Sequence, residues 1–380
     1  MQYYFKKYTF SWKGAFIAMA ISICILGGIQ YVIIPGVPRL AFLFDKLFVN
    51  SFGLPFNSGV LFLVAAIIGA SVWSVLYTLK RKMVVLNTAV TMVIVILIGY
   101  STFATIIIRA SANPPMNQNH PDNAFALLRY LNREQYGDRP LFYGPYFNAP
   151  AIASKGEKPQ YNKVDGKYKH TGSLSSGTVY DEKMETFFPR MYSNQPNHVD
   201  AYKDWGKIKG TPVRIRDGKE TKTLIKPTFA ENLRFFFTYQ IGHMYMRYFM
   251  WNFVGRQNDV QGHGTFNEGN WVSGIDFLDK SRVGPRDYMP DFMKKDPSRN
   301  VYYFLPLFFG LVGMFYQYNH GREGKQGFTV TMLLFLFTGL AIIVYLNQYP
   351  YQPRERDYAY AGSFYAFAIW IGLAVPAFYS

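Results

Sequence analysis

Long apolar runs without a single charged side chain constrain this chain more than any other feature. Gly14 to Ile34 carries no charge. At about 1.5 Å per helical residue it is long enough to cross a hydrocarbon layer roughly 30 Å thick. Val60 to Leu79 is a second such run, closed by Lys80, Arg81 and Lys82, and Met83 to Ile108 is a third, ending at Arg109. A long polar stretch follows, about Ser111 to Arg299. Apolar spans then resume at Tyr302 to Tyr318, Phe328 to Leu346 and Ala361 to Tyr379. Runs of this length are rarely soluble core helices, so they read as transmembrane. The predicted fold class is mostly α: a polytopic helical membrane protein with about six transmembrane helices and a mixed α/β extracytoplasmic insert.

Whole-chain averages conceal this division. The mean hydropathy is −0.03, although 49% of residues are hydrophobic and only 17% are charged. That composition excludes a disordered tail, a collagen-like rod and a disulfide-built secreted module. The single cysteine, Cys24, allows no intrachain disulfide and no cysteine metal cluster. The net charge of +16 invites a nucleic-acid reading, but the placement of the charges argues for a membrane instead. Lys6, Lys7 and Lys13 precede the first span, Lys80 to Lys82 join the second and third, and Arg322 and Lys325 join the fourth and fifth. With six spans these three sites share one side, which the positive-inside rule makes the cytoplasm. The first run exceeds a signal-peptide core and no small-residue cleavage site follows it, so it reads as a retained anchor.

This topology divides the chain in three. Residues 1–110 hold three spans with an external connection at 36–59. Residues 111–300 form the extracytoplasmic insert, and residues 301–380 hold three more spans with an external loop at 348–360. Within the insert, Asp122 to Gln135 is predicted as a helix and Tyr161 to Gly177 as surface loop. Val213 to Ile225, around Asp217-Gly218, reads as a hairpin. The insert ends in an aromatic helix at 231–254. Gln240, His243 and Arg247 form one polar stripe on it, and its Phe, Tyr, Trp and Met suit an interfacial or cavity-lining helix better than a seventh span.

Neither a phosphate-binding loop nor a zinc-protease motif is present, and the scattered histidines suggest no metal site. Two polar constellations carry chemistry. The first is Arg354, Glu355, Arg356 and Asp357 on the last external loop. Arginine forks match phosphate oxygens, so Arg354 and Arg356 suit a lipid phosphate headgroup, with Glu355 and Asp357 as supporting charge pairs. A self-neutralised loop or plain headgroup anchoring is the alternative. The second is Arg247, Trp251, Asn252, Arg256, Gln257, Asn258 and Asp259, whose aromatic rings and bidentate polar groups suit a sugar or an acceptor. Asp259 could act as a base, but a lone Asp after an Asn is more often a turn or cap residue.

At these residues the sequence resembles a family. YQIGHMYMRYFMWNFVGRQNDVQG, GNWVSGIDFLD and YLNQYPYQPRERDYAYAGSFYAFAIWIG are similar to the bacterial protein O-mannosyltransferase-like membrane proteins, as is IIIRASANPPMNQNHPDNAFALLRYLNREQYGDRPLFYG. The resemblance implies a glycosyltransferase of the C superfamily in a bacterial inner membrane. Such an enzyme transfers a sugar, mannose in the family's name, from a polyprenyl-phosphate carrier to a protein hydroxyl on the non-cytoplasmic side. Its implied partners are membrane lipids, the polyprenyl-phosphate-linked sugar as donor substrate and a protein acceptor. No tightly bound cofactor and no nucleic acid are implied. The first external connection does not match the family's acidic catalytic motif, its only acid being Asp45 beside Lys46. The expectation is therefore a portion lacking the amino-terminal catalytic part, with the catalytic base unassigned. A transporter, a carrier-lipid-handling protein and a non-catalytic membrane scaffold remain the alternatives.

Overall fold

The computed structural model describes residues 12–134, 139–175, 177–217, 220–352, 354 and 356–379. It is mostly α, with 61% of residues helical. Among the described residues, five helices are long and apolar enough to cross a membrane: Trp12–Phe52, Ser58–Lys80, Val84–Ser111, Gly321–Leu346 and Asp357–Tyr379. By length and composition this is an integral membrane protein. The chain forms two compact units, Met1–Asp138 with Lys155–Gly177, and Arg139–Ser154 with Thr178–Ser380. Residues of the expected insert therefore contribute to both.

In the first unit, the apolar run expected to end at Ile34 continues as one helix to Phe52 through a π turn at Ile29–Ile33. The expected external connection at 36–59 is thus mostly helical. Pro35 directly follows the π turn, in the first turn of the Ile34–Phe52 segment, and its ring supplies no N–H to the continuing helix. Past it the character changes. Pro38, Ala41, Phe42, Asp45 and Val49 are buried at helical spacing, whereas the Trp12–Gly28 segment buries nothing within the chain. Gly53 ends the helix in a left-handed conformation, its N–H donating to the Phe48 carbonyl.

Asp45 is held by its neighbours. Its carboxylate accepts from the Gly59 N–H at 3.1 Å and from the Tyr168 hydroxyl at 2.7 Å. Asn50 exchanges two 2.9 Å bonds with the Tyr168 backbone. Burial, with Asp45 accepting the phenolic proton, raises the Tyr168 pKa above its ordinary value. Tyr168 belongs to a hairpin, Glu157–Val164 paired with Lys167–Ser175, where a surface loop was expected. Its turn, Asp165-Gly166, has both residues at positive φ, the geometry that Asp-Gly favours in tight hairpins. The predicted helix at 122–135 is realised as Ala124–Leu131, with Asn123 capping the Ala126 N–H at 2.9 Å.

The second unit is organised around the aromatic helix. It runs from Phe229 to Phe253, with a π stretch at Phe236–Met246. Here Phe235, Tyr245 and Tyr248 are at most 2% exposed and pack with Ile343 and Tyr360. The predicted hairpin is present, Thr211–Asp217 against Glu220–Lys226, with its turn residues 218–219 outside the described residues.

The expected span at 302–318 is a 15-residue helix, Leu305–Asn319. At about 22 Å it is shorter than a bilayer core. Tyr303 and Phe304, both at positive φ, stop it from extending backward. It packs closely on Asp357–Tyr379: a Cβ on Gly313 would run into the backbone of Trp370 and Ala374. The Trp370 indole N–H donates to Gln317 at 2.8 Å across the same contact. Gly313→Leu should separate these helices, since backbone cannot retreat as a side-chain tip can. We expect the variant to lose most folded, monodisperse protein on size-exclusion chromatography in detergent, with Gly372→Leu, where open space surrounds the position, behaving as wild type.

Candidate functional site

The loop after the Leu340–Leu346 helix leads into the Asp357–Tyr360 turn, and its two halves differ. Gln348 and Gln352 are buried, and the Gln352 carbonyl accepts from the Gln261 side chain at 3.1 Å. Tyr349 stacks on the His198 ring with centroids 4.2 Å apart. The loop then turns outward. Arg354 is exposed, its guanidinium 5.4 Å from the Tyr358 ring, and Arg356 is half-buried at the start of the Asp357–Tyr360 turn. Asp357 opens that turn and the membrane-length helix behind it. Among the described residues no ion pair joins Arg354 or Arg356 to Asp357. Glu355, the other expected charge partner, lies outside the described residues.

The second constellation is brought together, but around its own backbone. Arg247 is 4% exposed; its guanidinium donates to the carbonyls of His243 and Gly269 and to the Tyr248 hydroxyl. The Trp251 indole N–H donates to the same Gly269 carbonyl at 3.1 Å. Arg256 stacks over Trp251 and donates to the Ser298 carbonyl. Gln257 and Asn258 are buried, each bonding in both directions across the 265–270 segment. Asn252 donates back along its helix to Tyr248. Only the Asp259 carboxylate faces solvent without a hydrogen bond among the described residues; its backbone N–H donates to Ser298. These side chains brace a loop, and their donors and acceptors face inward. The two constellations meet through the Gln261–Gln352 bond and through His263, whose ring lies 4.7 Å from that of Tyr351.

Sequence reading missed the residues that hold this region together. Asn347 is fully buried in the left-handed conformation that ends the Leu340–Leu346 helix. Its amide donates to the Pro140 and Pro189 carbonyls at 2.7 and 2.9 Å and accepts from Gln240 at 3.1 Å. The last carbonyls of that helix have no partner within it. Arg190 takes Val344, Arg139 takes Leu346, and the Tyr192 hydroxyl takes Asn347, each at 3.0 Å. Arg190 is fully buried, lies 3.6 Å from the Phe188 ring centroid, and also donates to Leu141. Burial lowers its pKa to about 10, which still leaves it charged near neutrality.

His243 is the strongly perturbed histidine on the aromatic helix. Burial, then the neighbouring Arg247 charge, lowers its pKa to about 3, with the His263 ring adding to the effect. In the tautomer that carries its proton on Nε2, the neutral ring donates to the Gly262 carbonyl at 3.0 Å.

Against known sequences, a family of unknown function (DUF8416) matches residues 137–237. No curated protein and no solved structure matches the chain. The matched segment contains Arg139, Pro140, Pro189, Arg190 and Tyr192, the groups that hold the end of the Leu340–Leu346 helix.

Two outcomes follow from this geometry. Asn347→Asp replaces a donor that faces two carbonyls with an acceptor, at roughly 1–3 kcal/mol for each orphaned buried group. It should lower the thermal midpoint in detergent more than Asn347→Ala does. For His243, the folded pKa lies below the unfolded value near 6.5, so its contribution is complete above pH 6.5 and is lost as pH falls toward 3. Thermal midpoints measured across that window should fall for wild type and fall less for His243→Gln.

Proposed function

We propose that this is an integral membrane glycosyltransferase-like protein that takes a sugar from a polyprenyl-phosphate carrier on the non-cytoplasmic side and passes it to a protein hydroxyl. The observation that carries the reading is the position of Arg354 and Arg356. They stand immediately before the membrane-length Asp357–Tyr379 helix, with Arg354 exposed and no carboxylate pairing among the described residues. A phosphate at the lipid boundary would meet both guanidiniums while its isoprenoid chain stayed among apolar helices. The family resemblance supplies the sugar transfer and the bacterial inner membrane. Counting the short Leu305–Asn319 helix as a sixth crossing, through a locally thinned bilayer, the basic ends at Lys80–Lys82 and at Arg322 and Lys325 support a cytoplasmic position for those turns and an external one for the 348–360 loop. The general base is unassigned: Asp45 is buried and bonded to Gly59 and Tyr168, so it does not fill that role.

A second reading, a carrier-lipid-handling protein without transfer chemistry, is favoured by the inward-facing polar groups of Gln257 and Asn258. Both readings share the phosphate site. With charge-assisted bonds contributing about 1.5–3 kcal/mol each, Arg354→Ala or Arg356→Ala should weaken polyprenyl-phosphate binding roughly ten- to a hundredfold. Purified protein in nanodiscs provides the measurement, with transfer from polyprenyl-phosphate-mannose to a serine/threonine peptide read in parallel. Unchanged binding in both variants overturns the phosphate site. Binding without transfer selects the second reading.

A further inference from the structure

The first unit contains an open groove of about 660 Å³. One wall is the long first helix where it changes character, from Tyr31 and Pro35 to Lys46. The facing walls are the Ala124–Leu131 helix with its following turn, and the start of the Glu157–Val164 strand. Phe42, Phe125 and Tyr161 form an aromatic floor, with centroids 4.9 to 5.7 Å apart.

Four cations and one carboxylate line this floor. Arg129 and Lys158 share Glu134, at 3.2 and 3.5 Å. Lys46 lies 4.0 Å from the Tyr161 ring centroid and has no carboxylate partner among the described residues. Arg39 is exposed and likewise unpaired with any described acid. The groove therefore carries excess positive charge beside apolar surface. Its position along the chain is equally specific. Residues 12–33 extend about 33 Å as a helix, enough to cross a hydrocarbon core, so Tyr31 and Pro35 fall at the membrane boundary.

We propose that this groove is a binding site for the phosphate headgroup of an anionic membrane phospholipid. The lipid phosphate would sit between Arg39 and Lys46, and its glycerol and upper acyl carbons would lie on Phe42, Phe125 and Tyr161. Cations above an aromatic and aliphatic floor match an anionic amphiphile at both ends, whereas a free phosphate would leave the floor uncovered. The site is independent of the polyprenyl-phosphate reading above, which rests on Arg354 and Arg356.

Delipidated protein in detergent, titrated with phosphatidylglycerol or phosphatidylcholine and followed by native mass spectrometry, tests it. Wild type should bind phosphatidylglycerol in preference to phosphatidylcholine. Arg39→Gln and Lys46→Gln should each weaken phosphatidylglycerol binding roughly fivefold, the contribution of one cation beside an anionic lipid, and leave phosphatidylcholine binding unchanged. The doubly conservative Arg39→Lys, Lys46→Arg protein should bind as wild type. Equal binding of the two lipids, unaltered binding in both glutamine variants, or failure of the conservative pair to bind overturns the proposal. So does displacement of the lipid by millimolar inorganic phosphate, which would make the groove a soluble-anion site.

Discussion

Apolar surface that the protein does not cover sets the terms for the first unit. The Ser58–Lys80 helix buries only Gly59, Leu63 and Thr78, and the Val84–Ser101 segment buries nothing within the chain. Leu61, Val85 and Ile98 are 70%, 85% and 64% exposed. A helix of a water-soluble domain concentrates its apolar residues on one face; these helices are apolar all round, and such a surface is stable only in an apolar solvent. Within that solvent each polar group must find a partner locally. Ser74, Thr88 and Thr91 donate to the carbonyl four residues back, and Asn87 donates across to Thr78. The same demand explains why the first helix runs on unbroken past Pro35. A π turn at Ile29–Ile33 leads into it, with the Ile34 N–H donating to the Ile29 carbonyl.

The second unit solves the opposite problem. Its aromatic helix carries Gln240, His243 and Arg247 into a core, and every one of them is matched by a backbone group. Gln240 meets Asn347 and the Gln348 carbonyl, His243 meets Gly262, and Arg247 meets Gly269. Buried polar groups of this kind add little net stability but penalise any alternative packing that leaves them unpaired. The end of the Leu340–Leu346 helix is the clearest case, because Arg139, Arg190 and Tyr192 reach it from residues about 150 to 200 positions earlier in the chain.

How much of this was legible follows from which interactions are local. Apolar runs are a one-dimensional signal: three of the six expected spans map onto membrane-length helices within a few residues of their ends, and the first and the fifth are parts of helices that run well past one expected end. The short Leu305–Asn319 helix was overestimated because Tyr302 and Tyr303 count as apolar in a sum, while their backbone pairs with Val254 and Ser273. The 157–175 hairpin reads as loop because its strands are polar, and Asp165-Gly166 is the one local signal for its turn. Asn347 was illegible in principle. Asn-Gln-Tyr-Pro reads as a turn, and nothing near it in sequence announces two distant proline carbonyls.

The arginines separate into two populations that sequence cannot distinguish. Arg190 and Arg247 are buried, stacked on aromatic rings and aimed at carbonyl oxygens, so their charge is consumed in building the second unit. Arg39 and Arg354 are exposed, each beside a membrane-length apolar stretch. A guanidinium kept in water at such a boundary contributes nothing to a core, and with no carboxylate paired to it among the described residues its field extends to whatever anion the membrane presents. The bilayer surface offers phosphate in quantity. The basic excess of this chain therefore acts in two ways: inward as hydrogen-bond donors that define a fold, and outward, at two separate places in the sequence, as charge suited to lipid phosphate.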